Sequence, residues 1–247
     1  MIETAAIVLH SFDYRETSRI VRLATRDAGV VSAIARGARR PKSRFGQGLD
    51  LFTSGTALLA IHASRDLHTL AGFDATRSRP ALAGSLERFG AAAALSELCM
   101  RFGTEATAGV HDALSEGLER LAGSADHEVA AAALATGWRI VAELGFAPAL
   151  GTCALCHREL ATDEDTRFAN RAGGAICTAC RNLAPGTRTL PAAARQTLLN
   201  WLDGQEIPLP DLPTARAHQR LLREFLEEHL SDGRAFKAFQ AWERQSA

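Results

Sequence analysis

Along the first 77 residues apolar and polar positions alternate with the period of a β-strand, and from residue 80 onward the period lengthens to that of an α-helix. Five short runs carry the first pattern: TAAIVLHSF (4–12), SRIVRLAT (18–25), VVSAIAR (30–36), GTALLAIHA (55–63) and LHTLAGFDATR (67–77). RDAG, between the second and third runs, reads as a tight hairpin turn. With no long helix among them, the five strands predict a small closed barrel.

The oligonucleotide-binding (OB) barrel has this build, and periodicity alone leaves an SH3-like barrel open. Pro80 then opens ALAGSLERFGAAAALSELCMRF (81–102), where Leu82, Leu86, Phe89 and Ala93 recur at helical spacing. A second helix ends at Gly123. A third follows, with Asp126 as its cap and Leu134, Trp138, Val141 and Leu144 on one face. After a polar interruption at 150–183, helical runs resume at 191–204, 212–230 and 234–244. The expected fold class is α+β and multidomain: a five-stranded OB-type barrel over 1–79, then an α-helical domain over 80–247 carrying an insert at 150–183.

Charge sharpens this division. The chain is neutral overall, but residues 1–80 hold twelve Lys+Arg against seven Asp+Glu, and the remainder holds sixteen against twenty-one. A basic first third suits local polyanion binding. Lysine occurs only at Lys42 and Lys237, so the abundance of arginine as such carries little weight. MIETAAIVLHSF lacks a secretory pattern, and no apolar run approaches the roughly 20 residues needed to span a bilayer. A cytoplasmic location is expected. In that compartment five cysteines point to metal ligands or buried thiols before disulfides.

The basic excess gathers in ARGARRPKSRFGQG (35–48), where Arg36, Arg39, Arg40, Lys42 and Arg44 are cationic and no acid stands between Asp27 and Asp50. Such a run is either a solvated loop or a grip for phosphates. Gly37, Gly46 and Gly48 would let the backbone approach a polyanion, and Phe12, Tyr14 and Phe45 are candidate stacking surfaces for unpaired bases. Downstream, CALC and CTAC place Cys153, Cys156, Cys177 and Cys180 as two Cys-x2-Cys pairs twenty residues apart. Two such turns complete a tetrahedron around one ion, and four thiolates leave zinc no open position, so a structural zinc is expected. The polar stretch between the pairs is too poor in apolar residues to build its own core, and metal binding would replace one.

His157 and Glu159 ahead of Cys177 and Cys180 resemble a zinc deaminase signature. However, Ile176 stands where that signature has proline, only seventeen residues separate Glu159 from Cys177, and Cys153 and Cys156 are left unexplained. No phosphate loop or nucleophile elbow occurs, and nothing argues for an enzyme. Cys99 reads as a buried hydrophobe. Arg216, Arg220 and Arg223 share a helical face, but i,i+4 pairs with Glu224 and Glu227 make a self-neutralised stripe the simpler reading.

A basic-looped barrel followed by a helical domain with a four-cysteine insert resembles the RecO family of bacterial recombination mediators, over essentially the whole chain. YRETSRIVRLATRDAG, RGARRPKSRFGQGLDLFT, LGFAPALGTCALC, FANRAGGAICTAC and EEHLSDGRAFKAF carry the resemblance in order. His157 departs from it, because glycine commonly follows the second cysteine in the family. The resemblance implies a non-enzymatic protein that binds single- and double-stranded DNA and anneals complementary strands. It also implies that the protein engages the C-terminal tail of single-stranded DNA-binding protein. With RecR it would help load RecA onto coated gaps, with RecF and RecA as indirect partners at most. The tail would need an apolar groove beside a cation, for which Arg139, Arg216, Arg220 and Arg223 are candidates. An OB-fold RNA- or ribosome-binding module with a structural zinc is the alternative reading.

Overall fold

The computed structural model describes residues 1–45, 48–62, 64–103, 108–230 and 233–245. Gly46 of the basic loop lies outside the described residues, as does Ala63 at the end of the fourth predicted run.

Five strands close into a barrel: β1 (Ile2–Tyr14), β2 (Ser18–Thr25), β3 (Gly29–Ala35), β4 (Ser54–Ala60) and β5 (Leu67–Arg77), in the order β1-β2-β3-β5-β4. All pairs are antiparallel except β3 with β5, from Ser32↔Leu67 to Ile34↔Thr69. This Greek-key closure is that of an OB-type barrel, and it decides against the SH3-like alternative. The predicted hairpin is present, with Gly29 at φ +63 after the turn. Alternate residues such as Val8, Val21, Leu23, Ala33, Leu59 and Leu70 fill the interior. Gly55 is required where β4 meets β5, because a Cβ there would lie 2.4 Å from the Asp74 carbonyl oxygen.

Part of β1 does not alternate: Ala6, Ile7, Val8 and Leu9 are all buried. The reason is tertiary. Ile7 and Leu9, with Ala24 and Phe52, face out of the barrel into the core of the helical domain. A strand covered on both faces reads as a continuous apolar run.

The helices are α1 (Pro80–Ala83), α2 (Leu86–Phe102), α3 (Ala108–Gly123), α4 (Val129–Glu143), α5 (Ala192–Leu202), α6 (Leu212–His229) and α7 (Lys237–Gln245). The single helix expected from residue 81 is two. Gly84 ends α1, and the Ser85 side chain caps α2 by accepting from the Arg88 N–H. Consequently Leu86 is 69% exposed and Phe89 37%, and the buried face of α2 is instead built from Ala91, Ala92, Leu95, Leu98 and Cys99. Asp126 is not the cap of the third helix. It opens a short 3-10 turn, pairs with Arg88 at 3.0 Å, and leaves the Glu128 carboxylate to accept from the Ala125 N–H.

α4 is the central rod, buried almost all round from Val129 to Val141. Its alanines and glycines set close helix approach: a Cβ at Gly137 would lie 2.8 Å from Leu222, and one at Gly117 of α3 2.2 Å from Thr136. Trp138 packs tilted against Phe225 of α6, with ring centres 5.2 Å apart. α7 is tied on by Glu97 of α2, whose carboxylate accepts from the N–H groups of Lys237, Ala238 and Phe239. Such an anion at a helix N-terminus satisfies otherwise orphaned donors.

The insert is larger and better anchored than its composition suggests. It holds a three-stranded sheet, β6 (Thr166–Ala169), β7 (Gly174–Ile176) and β8 (Arg188–Leu190), in the order β7-β6-β8, so it runs past residue 183. Phe168, Ala169, Ala175 and Ile176 join the main helical core, with Phe168 against Phe225 at 5.9 Å. Arg195 of α5 clasps the insert from beneath. Its side chain is buried and donates to the carbonyls of Leu150 (3.1 Å), Ala161, Thr162 (3.4 Å) and Glu164 (3.3 Å). Replacing it by methionine strands those acceptors and is expected to lower unfolding stability by about 3 kcal/mol or more. Urea titration of the purified variant measures this, and a change below about 1 kcal/mol would mean that water replaces the guanidinium there.

Candidate nucleic-acid interface and metal centre

The twelve cations of the first 80 residues are divided by the fold into three sets. Four of them join the barrel to the helices. Arg22 donates to the Met100 carbonyl (2.8 Å), Arg26 pairs with Asp112 (3.1 Å), and Arg77 and Arg79 both pair with Glu119 (2.8 Å each). Arg79 is buried, donates also to the Phe52 carbonyl and Ser54, and has its pKa lowered by burial. Arg19 and Arg39 converge on Asp13, each at 3.3 Å. The remaining six, Arg15, Arg36, Arg40, Lys42, Arg44 and Arg65, are exposed and form no ion pair with another described residue. They gather around the β1–β2 turn, the basic loop and the β4–β5 connection.

The acid missing from the sequence around the loop is therefore supplied by the fold and, among the described residues, only to Arg39. That guanidinium also donates to the carbonyls of Arg15 and Glu16, and its backbone N–H to Thr17. Arg39 pins the loop to the β1–β2 turn. Turn bonds from Arg40 to Gly37 and from Ser43 to Arg40 shape the rest, with Gly37 at φ +75.

Between the β1–β2 turn and the β4–β5 connection lies an open cleft of about 970 Å³. Arg15, Arg36, Arg40 and Arg65 line it, with Glu16 as its one carboxylate among the described residues. Tyr14, Ile34 and Leu67 contribute apolar surface, and Thr17, Ser18, Thr69 and His62 add hydrogen-bonding groups. His62 and His68 flank the connection as neighbours: the His62 N–H donates to the His68 Nδ1 at 3.2 Å. Arg36 and Arg40 were legible as candidates. Arg15 and Arg65 were not, because Glu16 and Asp66 beside them make each look locally neutralised. Of the stacking candidates, Tyr14 borders the cleft and Phe12 is 44% exposed outside it. Phe45 is removed from the set: it is 3% exposed, packed into the barrel core, with the Arg44 guanidinium 5.1 Å above its ring. A loop phenylalanine has no partner visible in sequence, and here it anchors the loop.

In the insert Cys153, Cys156, Cys177 and Cys180 come together, all four Sγ atoms within 4.8 Å of one another. Cys156 and Cys177 are 3.8 Å apart, the edge of a tetrahedron with metal–sulfur bonds of about 2.3 Å. The first turn closes through His157 N–H to the Cys153 carbonyl and Cys153 N–H to the Arg158 carbonyl. His157 sits at φ +59, the left-handed region that glycine enters without strain. A Cβ at Gly174 would lie 2.2 Å from the Ala149 carbonyl oxygen, so glycine is needed where the insert folds back.

The electrostatics suit a cation. Burial raises the Cys153 thiol, but backbone N–H groups of Cys156, Cys177 and Leu155 outweigh it and bring the pKa down to about 6. Cys177 is lowered in the same manner, whereas Cys180, crowded by Cys177 and Cys156, is pushed up to about 12. Thiolates forced together without a counter-ion repel, and a metal removes that conflict. Arg158 lies between Glu164 (2.6 Å) and the Cys177 sulfur, both of which hold it protonated. It is a positive neighbour that cysteine spacing does not reveal. The four cysteines can hold a metal ion, and their meeting accounts for the two that the deaminase reading left over.

Two family descriptions match the chain in sequence: Recombination protein O N terminal over residues 1–79, and Recombination protein O C terminal over 83–236. The chain belongs to the RecO family. Its similarity to family members runs nearly end to end. It is 32% identical to the DNA repair protein RecO of Anaeromyxobacter sp. (strain K), over 96% of this chain and 95% of that one. The RecO protein of Desulforudis audaxviator is 32% identical over 92% and 91% of the two chains. That of Rubrobacter xylanophilus is 30% identical over 93% and 91%. Among the described residues no helix is long and apolar enough to cross a membrane.

Two other expectations are settled by contacts in this family architecture. Cys99 is fully buried on α2, and burial pushes its thiol up to about 12. On α6, Arg223 pairs with Glu227 (2.9 Å) as expected and with Glu243 (2.9 Å) as well. Glu224 instead takes Arg188 of β8, so the expected pair with Arg220 is not the one formed.

Proposed function

We propose that this chain is a non-enzymatic DNA-binding mediator of recombinational repair, one that binds single- and double-stranded DNA and anneals complementary strands. One observation carries the reading: in a RecO-family barrel, the cations not used to hold the fold together are exposed on the β1–β2 turn, the basic loop and the β4–β5 connection, four of them lining one cleft. Phosphates held by Arg36, Arg40, Lys42 and Arg44 would displace counterions from both strands and lower their mutual repulsion. Pairing is then accelerated without base-specific contacts. The four cysteines hold a structural zinc, whose role is to cross-link the two turns of the insert.

Family membership supports RecR, the tail of single-stranded DNA-binding protein and, through them, loading of RecA onto coated gaps. Among the cations considered for the tail, Arg139 is engaged by Glu116 at 2.8 Å and Arg223 by two carboxylates. What supports Arg220 is an apolar cavity of about 320 Å³ beside it, lined by Phe168, Leu190, Pro191 and Leu221.

Annealing of two labelled complementary oligonucleotides, followed by energy transfer without any nucleotide triphosphate, tests the reading. The protein is expected to accelerate annealing strongly at low salt, and alanine at the five loop cations is expected to return the rate close to the protein-free value. Acceleration that survives those substitutions would reject the loop as the grip.

A further inference from the structure

The apolar cavity beside Arg220 has on its floor a polar group that the fold leaves unanswered. It lies between β8, the start of α5 and α6, with Phe168, Leu190 and Leu221 as buried apolar walls. His218 of α6 lines it too, 3% exposed, and neither Nδ1 nor Nε2 has a hydrogen-bond partner among the described residues. Trp201 of α5 packs edge-on against the imidazole with ring centres 5.1 Å apart, but its indole N–H donates to the Ile207 carbonyl (3.1 Å). It gives His218 no hydrogen bond. Burial lowers the His218 pKa to about 4, so the ring is neutral at ordinary pH, one nitrogen a donor and the other an acceptor. A buried polar group without a partner carries a free-energy cost that native folds ordinarily avoid. A ligand that answers it recovers that cost on binding.

The rim carries charge. Arg188 is neutralised by Glu224, whereas Arg220 is exposed and pairs with no carboxylate among the described residues. No carboxylate belongs to the described lining. At about 320 Å³, and with about 30 Å³ for each water-sized group, the cavity holds roughly ten non-hydrogen atoms.

We propose that this cavity is a binding site for a small carboxylate with an apolar body and a hydroxyl at its far end, the carboxylate held by Arg220 and the hydroxyl by His218. The inference goes beyond the DNA-binding reading and does not depend on it. It differs from the docking of a protein tail in what happens at the floor. An apolar side chain in the cavity would leave both imidazole nitrogens buried and unpaired, and a hydroxyl, which both donates and accepts, would not.

The test is isothermal titration calorimetry of the full chain with para-hydroxybenzoate, benzoate and phenol. The first is expected to bind one to one with a Kd of about 0.2 mM, ordinary for a ligand of roughly ten atoms. Benzoate lacks the hydroxyl and phenol the carboxylate, and each should bind about tenfold more weakly. Arg220→Ala should weaken para-hydroxybenzoate about tenfold and leave phenol unchanged. Arg220 is exposed, so this variant leaves the core untouched. His218→Leu should bring para-hydroxybenzoate to the affinity of benzoate, and should raise the Tm of the free protein by about 3 °C because a buried orphan is removed. No saturation by para-hydroxybenzoate up to about 5 mM would overturn the proposal. Equal affinities for para-hydroxybenzoate and benzoate would do the same, as would a lowered Tm in His218→Leu, which would place the partners of the imidazole within the fold. Tight binding of a short acidic peptide with an apolar C-terminal residue, by wild type and His218→Leu alike and beside no binding of para-hydroxybenzoate, would give the cavity to a protein tail and reject the small-ligand assignment alone.

Discussion

Alanine at Arg36, Arg39, Arg40, Lys42 and Arg44 together is expected to flatten the salt dependence of single-stranded DNA binding by about 2.8 log–log units. Each phosphate neutralised on a single strand contributes roughly 0.7 to that slope, so five equal contacts would give about 3.5. The smaller figure follows from Arg39. Its guanidinium pairs with Asp13 and donates to the carbonyls of Arg15 and Glu16, so it releases no DNA counterion on binding. The other four have no described carboxylate partner to compete with phosphate. Arg39→Ala alone should therefore leave the slope nearly unchanged while loosening the loop against the β1–β2 turn. Anisotropy of a labelled oligonucleotide between about 50 and 200 mM salt spans the range in which such contacts cost orders of magnitude in affinity. A slope change near zero for the five-fold variant would mean that the loop is only solvated, and the interface would have to be sought elsewhere.

Loss of the metal is expected to be the most damaging change to the fold. Structural zinc in zinc-finger peptides is bound with roughly 10–16 kcal/mol of apparent free energy, comparable with the whole stability of a domain. Here Cys153 and Cys177 are buried at 0% and 1% exposure against the same core as Phe168 and Ile176, so the site and the core fail together. Replacing either by serine should abolish zinc, which elemental analysis is expected to find at one equivalent per chain in the wild type. It should also melt the insert, seen as lost near-ultraviolet dichroism and poor solubility. DNA affinity of the soluble fraction should be nearly retained, because the insert packs on α5 and α6, and among the described residues no hydrogen bond or ion pair joins it to the basic loop. Full zinc content in Cys153→Ser or Cys177→Ser would refute the four-thiolate site.

The two sites differ in how far they could be read from the chain. The cysteine set was complete in sequence because its geometry is local: three-residue spacing presents two sulfurs from one turn, and only the meeting of two turns is left to the fold. Arg158 and Arg195 were invisible, since nothing in spacing says which carbonyls or which thiolate a distant guanidinium will reach. The insert, judged from its polar composition to need metal in place of a core, also borrows the core of the helical domain through Phe168, Ala175 and Ile176. On α2 the helical spacing of Leu82, Leu86, Phe89 and Ala93 ran across Gly84 and Ser85, where a cap restarts the helix and turns its face.

By itself, the sequence determined the strands of the barrel, their hairpin, the change to helix near residue 80, the four cysteines able to hold a metal ion and the location of the charge excess. All of these depend on neighbours within a few positions along the chain, where period, turn chemistry and spacing act directly. Only the tertiary structure decided what each cation does. Arg22, Arg26, Arg77 and Arg79 hold the barrel to the helices, Asp13 takes Arg19 and Arg39, and Arg15 and Arg65 come from separate turns to complete a cleft. A charge's partner is set by distance in space, and its Coulomb energy at a few ångströms does not depend on how many residues of chain lie between.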